Sequence, residues 1–225
     1  MIWAAETRVN LVSEEIIRAM RDAGCVQLDF GVESGSSEIL KRLRKGITVD
    51  QVTKTFALCH QLGMRTLANF MFNTTGETED DVKRTLALAR EIKANYYNFS
   101  LMTPFPGTDI YDQVEPKLKV HEYPSLGDGI RRLVDPRFKF ARHNLDLQRI
   151  VWESNRSLNT LARRASFIVT RGYLRRVARS KRRGSYVRAI WDLLRRMLRY
   201  YRGKPTSKLE RESKSEGSGI PPSSE

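Results

Sequence analysis

Apolar positions in the first hundred residues switch repeatedly between a period of two and a helical period. Short apolar runs read as strands at Ile2–Thr7, Cys25–Gly31, Arg65–Phe72 and Tyr96–Leu101. Val26, Leu28 and Phe30 alternate within the second run and predict a buried face. Helical spacing fills the intervals. Asn10–Ala23 places Ile16, Ile17 and Met20 on one side, with Ser13 as N-cap and Glu14 and Glu15 at the positive end of the helix. Gly24 ends it. Ser37–Arg44 predicts a short helix. Thr48 opens a longer one, where Gln51 completes a capping box, Phe56, Cys59 and Leu62 form the apolar side and Gly63 is the stop. Thr78 caps the next, with Glu79, Asp80 and Asp81 in its first turn and Val82, Leu86, Ala89 and Ile92 as its stripe. Strand–helix alternation of this kind predicts an α/β fold with a parallel sheet and right-handed crossovers. Ligands of such sheets sit at the C-terminal ends of the strands.

The pattern then changes. Residues 104–144 show little periodicity and read as connecting loop. Leu145–Arg163, Ser166–Arg179 and Ser185–Arg202 read as helices. Residues 203–225 are rich in Ser, Gly, Pro, Glu and Lys and are expected to be disordered. The expected division is a βα unit at 1–112, a connection at 113–144, a basic helical region at 145–202 and a tail at 203–225.

Charge sharpens this division. The 225 residues carry a net charge of +14, and from Ser154 to Thr206 the sole acid is Asp192. Such a segment suits an anionic partner. Phe167, Ile168, Val169, Tyr173, Leu174 and Val177 alternate with arginines. So do Val187, Ile190, Trp191, Leu194, Met197, Leu198 and Tyr201. A basic amphipathic helix of this type suits an anionic membrane surface. It equally suits packing on the βα layer with arginines reaching outward. RNA is a third reading, without a recognised RNA-binding motif behind it. The two cysteines, Cys25 and Cys59, fit neither a CxxC site nor a disulfide framework and read as reduced thiols of a cytoplasmic protein. The N-terminus lacks the basic-then-apolar pattern of a signal peptide, and no run approaches the ~20 apolar residues of a membrane span.

Candidate chemistry gathers at the strand ends. Glu33 closes the second strand between Gly31 and Ser34-Gly35, where small residues allow a ligand close to the backbone. A carboxylate there can accept hydrogen bonds from a sugar's hydroxyl pair; it can equally be a surface Glu of a strand–helix turn. Lys45 lies in the basic run Lys41-Arg42-Leu43-Arg44-Lys45. Asn69 interrupts an apolar strand and needs a partner if buried.

Four segments recur in order: Phe30-Gly31-Val32-Glu33-Ser34-Gly35-Ser36, Leu43-Arg44-Lys45-Gly46-Ile47-Thr48, Asn73-Thr74-Thr75-Gly76-Glu77-Thr78 and Thr103-Pro104-Phe105-Pro106-Gly107-Thr108. Together they resemble the C-terminal half of radical S-adenosylmethionine (SAM) enzymes, and most of all the branch that often carries an N-terminal cobalamin-binding domain. The resemblance runs from Trp3 to Tyr111. It implies a partial TIM-like (β/α) barrel of about four parallel βα units, followed by a basic helical region. It gives Glu33 and Asn69 to the ribose of SAM, Lys45 to the methionine carboxylate and Glu6, in Ala5-Glu6-Thr7-Arg8, to the amino group. The backbone around Thr103 falls to the adenine. Asn73 and Thr75 depart from the family, which has Gly and Pro there; Asn tolerates the left-handed backbone such a Gly would adopt. Glu77 is read as a helix-entry residue without a catalytic role.

In the family, three cysteine thiolates hold a [4Fe–4S] cluster, a task for which thiolates are suited. Two cysteines cannot supply a CxxxCxxC triplet. His60, His121 and His143 read as surface residues. No catalytic residue or metal ligand is therefore assigned. The resemblance implies SAM as co-substrate, a cluster held elsewhere and cobalamin as a further cofactor in some members. The partner would be an upstream polypeptide supplying the remaining barrel. The reaction would be radical generation, methyl transfer or cyclisation on an unknown organic substrate. The alternative is an inactive remnant or interaction protein whose basic helices bind an anionic membrane surface. A first strand at the edge of an incomplete barrel would be exposed, predicting poor solubility or dependence on a partner chain.

Overall fold

The computed structural model describes residues 2–113 and 139–160, together with Arg163, Gly184, Arg188, Trp191 and Arg195. The expected helices at 166–179 and 185–202, the tail at 203–225 and His121 otherwise fall outside the described residues. Contacts divide the chain into two units, Met1–Ser180 and Lys181–Glu225. In the second, Gly184, Arg188, Trp191 and Arg195 are helical and exposed.

The first unit is built on four parallel strands: β1 (Trp3–Thr7), β2 (Cys25–Glu33), β3 (Arg65–Phe72) and β4 (Tyr96–Leu101). They lie side by side in chain order. That is the arrangement of successive βα units in a barrel wall, and the described part is an α/β partial barrel. The helices are α1 (Glu14–Asp22), α2 (Ser37–Arg42), α3 (Val49–Gln61), α4 (Glu79–Glu91) and α5 (Leu147–Leu158).

Local chemistry explains the boundaries. Ser13, Thr48 and Thr78 each accept a backbone N–H at the start of α1, α3 and α4, and Thr48–Gln51 and Thr78–Asp81 form full capping boxes. At the end of α3, Gly63 has φ +67 while Gly63 N–H and Met64 N–H bond to His60 O and Cys59 O. This is a Schellman stop. α2 ends in the same way with Arg44 in the glycine position, at φ +48. The resulting turn delivers Lys45 toward the end of β2.

One face of the sheet is apolar. Leu28, Phe30, Val32, Ala68, Phe70, Phe72, Tyr97 and Phe99 are buried with Val52, Phe56 and Cys59 of α3 and Val82 and Ala89 of α4. Phe30 meets Phe56 at 5.2 Å, and Phe99 stacks on Phe70 at 5.1 Å. On α1 the core position is Ile17. Ile16, expected beside it, is 45% exposed, because one helical step turns it away.

The two edges of the sheet differ. Among the described residues β1 pairs only with β2. The outer edge of β4 is closed by two amides, Asn155 of α5 and its C-cap Asn159. Asn159 Oδ1 accepts Tyr97 N–H at 2.8 Å, and its Nδ2 donates to Tyr97 O at 2.7 Å. Asn155 repeats this one turn earlier on Phe99, at 3.0 Å in both directions. Each amide supplies the donor and acceptor that a neighbouring strand would supply. The sheet therefore ends at β4 without an exposed edge there.

Candidate functional site

The other face of the sheet is polar. In register across the strands stand Glu6, Asp29, Leu67 and Tyr96, then Gly31, Asn69 and Asn98. Glu6 and Asn98 are exposed; Asp29 and Asn69 are half-buried. Gln27 Nε2 donates to Asp29 Oδ1 at 2.6 Å. Burial chiefly raises the Asp29 carboxyl above its ordinary range; the Gln27 bond opposes this, and the nearby Glu6 charge adds to it.

Glu33 and Lys45 meet at the end of β2. Their carboxylate and ammonium stand 2.6 Å apart, with side chains 18% and 22% exposed. Gly31 makes this placement possible. A Cβ on Gly31 would lie 2.8 Å from both Glu33 Oε1 and Lys45 Nζ. That Cβ would point to the face carrying Gln27 and Asp29, so the ion pair lies on the polar face directly over the strand. Glu33 itself has φ +66, at an irregularity in the β2–β3 pairing. A left-handed Glu costs about 1–2 kcal/mol. Such strain is concentrated at functional sites.

Asn69 occupies the neighbouring position on β3, opposite Gly31, and its Oδ1 accepts from Asn98 Nδ2 at 3.0 Å. Its partner is thus a side chain of β4. Glu33, Lys45 and Asn69 are brought together. Glu6 stands further down the same face, one strand beyond Asp29. Thr103 follows β4, where its hydroxyl donates to Leu101 O at 3.4 Å; no hydrogen bond joins it to the other four candidates.

Gly35, expected to admit a ligand, has another task. A Cβ there would fall 2.8 Å from Thr85 Cα and against the Arg84 carbonyl of α4. The glycine lets α4 pack against the turn, and Gly35 N–H bonds to Thr85 Oγ1 at 3.0 Å. Ser34 Oγ joins the same hydroxyl at 2.9 Å.

The turn after β3 corrects two further expectations. His143 is buried, not at the surface, and its Nε2 lies 3.4 Å from Oε2 of the fully buried Glu77. Glu77 is more than a helix-entry residue, since Asn73 N–H also bonds to its Oε2, at 2.7 Å. Burial chiefly pushes the Glu77 carboxyl up to about 7; the Asn73 bond opposes this and the Asp81 charge adds to it. Asn73 does take the left-handed conformation, φ +65, and its Oδ1 accepts from Phe140 and Ala141 N–H. Glycine could not do that. These contacts link residues about 65 apart in sequence, which no local pattern reveals.

The thiols do not fit an iron–sulfur centre. Cys25 and Cys59 are buried on the helix-packed side, and Cys25 Sγ donates to Gln27 O at 3.2 Å. Burial, with the Cys25 charge second, pushes the Cys59 thiol up to about 12. The thiolate needed for ligation is suppressed. Among the described residues no cluster of His, Cys, Asp and Glu is arranged to hold a metal ion, and no helix is long and apolar enough to cross a membrane.

Comparison with known proteins agrees with the resemblance in the motifs. The Radical SAM superfamily profile matches residues 3–89. An uncharacterized methyltransferase of Pyrococcus horikoshii is 34% identical over 110 residues, covering 49% of this chain and 24% of that protein. The anaerobic magnesium-protoporphyrin IX monomethyl ester cyclase of Rubrivivax gelatinosus is 26% identical, covering 55% and 22%. The chain thus spans about a quarter or less of these relatives' length. Among solved structures, the radical SAM methyltransferase TsrM of Kitasatospora setae, with cobalamin and a [4Fe–4S] cluster bound, aligns with a TM-score of 0.46 at 22% identity, covering 50% of this chain and 23% of that one. Residues 3–89, less than half of the chain, match the Radical SAM superfamily model, and over this stretch the chain is similar to that superfamily.

Proposed function

We propose that the polar face at the ends of β2 and β3 holds SAM for a radical SAM reaction whose [4Fe–4S] cluster is ligated by another polypeptide segment. The observation behind this is the Glu33–Lys45 pair, seated over Gly31 beside Asn69. Glu33 and Asn69 accept from and donate to the ribose hydroxyls. Lys45 pairs with the methionine carboxylate, exchanging one carboxylate partner for another. Glu6 takes the amino group, and the backbone at Thr103 borders the adenine. Bound SAM supplies the adenosyl or methyl group. This chain orients it and surrounds it with fixed polar groups.

The relatives named as methyltransferase and cyclase support methyl transfer or ring closure on an organic substrate. Cobalamin as a further cofactor follows, under this reading, from the resemblance in the motifs. The partner is a segment that pairs with the outer edge of β1 and brings the thiolates. Anaerobic reconstitution with iron and sulfide tests this division of labour. The chain alone is expected to retain no stoichiometric iron, and co-expression with a polypeptide carrying a CxxxCxxC segment restores it. A stoichiometric cluster on the chain alone would refute the proposal.

A second reading has its own observation. Trp191 is helical and 61% exposed, and Arg188 and Arg195 are likewise helical and exposed. An indole flanked by arginines one turn away on either side suits an anionic bilayer surface. Under this reading the basic region anchors the protein peripherally. Sedimentation with phosphatidylglycerol vesicles, but not phosphatidylcholine vesicles, is expected, with loss on Trp191→Ala; equal binding to both lipids would contradict it.

A further inference from the structure

The turn leaving β3 is crossed by a distant segment. Gly76 N–H bonds to Phe140 O at 3.0 Å, and Arg142 N–H bonds to Glu77 O at 2.7 Å. Asn73 Oδ1 receives Phe140 N–H at 3.1 Å and Ala141 N–H at 3.3 Å. Under this crossing Glu77 is 0% exposed. Its Oε2 takes Asn73 N–H and faces His143 Nε2. Leu145 N–H bonds to His143 Nδ1 at 3.3 Å, so in the neutral ring the proton sits on Nε2 and points at Glu77. Glu77 Oε1 and Thr74 Oγ1 are buried with no hydrogen-bond partner among the described residues.

This arrangement suits a protonated Glu77. A neutral acid brings no charge into this buried place, whereas a carboxylate would hold a full charge there out of reach of water. The surrounding charges do not neutralise it. Arg42 of α2 is engaged with Gly76 O at 2.8 Å and Thr75 O at 3.3 Å. Asp81 and Glu79 of α4 add negative charge nearby, and Lys139 and Arg142 lie on the crossing segment. Burial would raise the Asp81 carboxyl, but bonds from Ser36 and Thr78 and the Arg42 charge hold it below its ordinary range, so it stays ionised.

We propose that residues 139–143 form a proton-controlled strap: closed over the end of β3 while Glu77 is protonated against His143, and released when Glu77 ionises. Lifting the strap returns Glu77 to water. The strap leads directly into α5, whose Asn155 and C-cap Asn159 hold β4. Its release therefore loosens the link between the closed edge of the sheet and the turn at the ligand end of β3. The device does not depend on what the site binds.

The sign follows from linkage. The buried carboxyl sits near 7 against an ordinary 4.5. Closure is then fully supported below 4.5 and lost as the pH rises through about 7. His143 works in the opposite sense: burial lowers its pKa, so its neutral ring supports closure at higher pH, and that support is lost on acidification. Glu77 alone gives a loss of about 40-fold in closure between pH 5 and pH 7, and His143 acts against it.

Hydrogen exchange on the full chain from pH 5 to pH 8, corrected for intrinsic rates, reads this at the Phe140, Ala141 and Arg142 amides. Protection is expected to fall as pH rises to 7 and to level off above it. Glu77→Gln, a fixed mimic of the neutral acid, removes the fall and leaves a weaker trend of opposite sign from His143. His143→Gln keeps the fall and steepens it. Protection independent of pH in the native chain overturns the proposal, as does an unchanged slope in Glu77→Gln. If Glu77→Gln does not fold, His143→Gln decides, since a flat profile there also overturns it.

Discussion

Gly31→Ala and Gly35→Ala add the same methyl group four residues apart and should have opposite consequences. At Gly35 the new Cβ falls 2.7 Å from the Arg84 carbonyl carbon and 2.8 Å from Thr85 Cα. Both belong to helix backbone and cannot rotate away. Relief requires moving α4 off the turn, which also stretches the bonds from Gly35 N–H and Ser34 Oγ to Thr85 Oγ1. Overpacking of this kind costs about 1–3 kcal/mol, and each weakened buried bond adds about 1. The expected loss is about 3 kcal/mol. At Gly31 the obstructing atoms are Glu33 Oε1 and Lys45 Nζ, the ends of flexible side chains. They can swing aside, giving up a partly exposed ion pair worth about 1 kcal/mol or less. Reduced freedom of the unfolded chain returns about 0.4–1 kcal/mol. Gly31→Ala is therefore expected to leave stability within about 1 kcal/mol of the native value while displacing the pair that the proposed site uses. Urea denaturation followed by far-ultraviolet circular dichroism gives both numbers. Equal losses in the two variants would refute the reasoning, because they would mean that the atoms facing the new methyl group do not decide its cost.

Other perturbations have equally definite outcomes. Asn159→Ala leaves Tyr97 N–H and C=O without their partner in a buried position, costing about 2–3 kcal/mol; exchange at Tyr97 should accelerate before exchange at Leu28 does. Asn155→Ala, at a less buried position, should cost less in the same assay. Glu33→Gln and Lys45→Met should each shift stability by about 1 kcal/mol or less, yet weaken SAM binding by about tenfold or more, read by calorimetry. Cys59 should resist iodoacetamide in the native chain at pH 8 and react once urea exposes it, because burial suppresses its thiolate; rapid native alkylation would contradict the placement of α3.

The regular part of the fold was legible because its signals are local. Thr48–Gln51 and Gly63 bracket α3, and Arg65–Phe72 and Tyr96–Leu101 end where the apolar pattern ends. Glu33, Lys45 and Asn69 could be selected from their motifs, and the sheet register explains why they converge. What stayed hidden depends on distant pairing. His143 looks like any loop histidine until the chain returns it to Glu77. Asn155 and Asn159 share a helix face at a spacing of one turn, a pattern that was present in the sequence but whose meaning needs β4 beside it. Gly35 was read as an opening for a ligand because a glycine's sequence context does not say which neighbour approaches it.

The central claim is that Glu33, Lys45 and Asn69 form a SAM site on a chain that holds no cluster of its own. Calorimetric titration of SAM into the iron-free chain, alongside Gly31→Ala and Glu33→Gln, tests it most directly. Saturable binding at one site, weakened in both variants while their folding is retained, is the predicted result. Binding that is unchanged in the variants would contradict the assignment, as would no binding to the native chain at millimolar SAM.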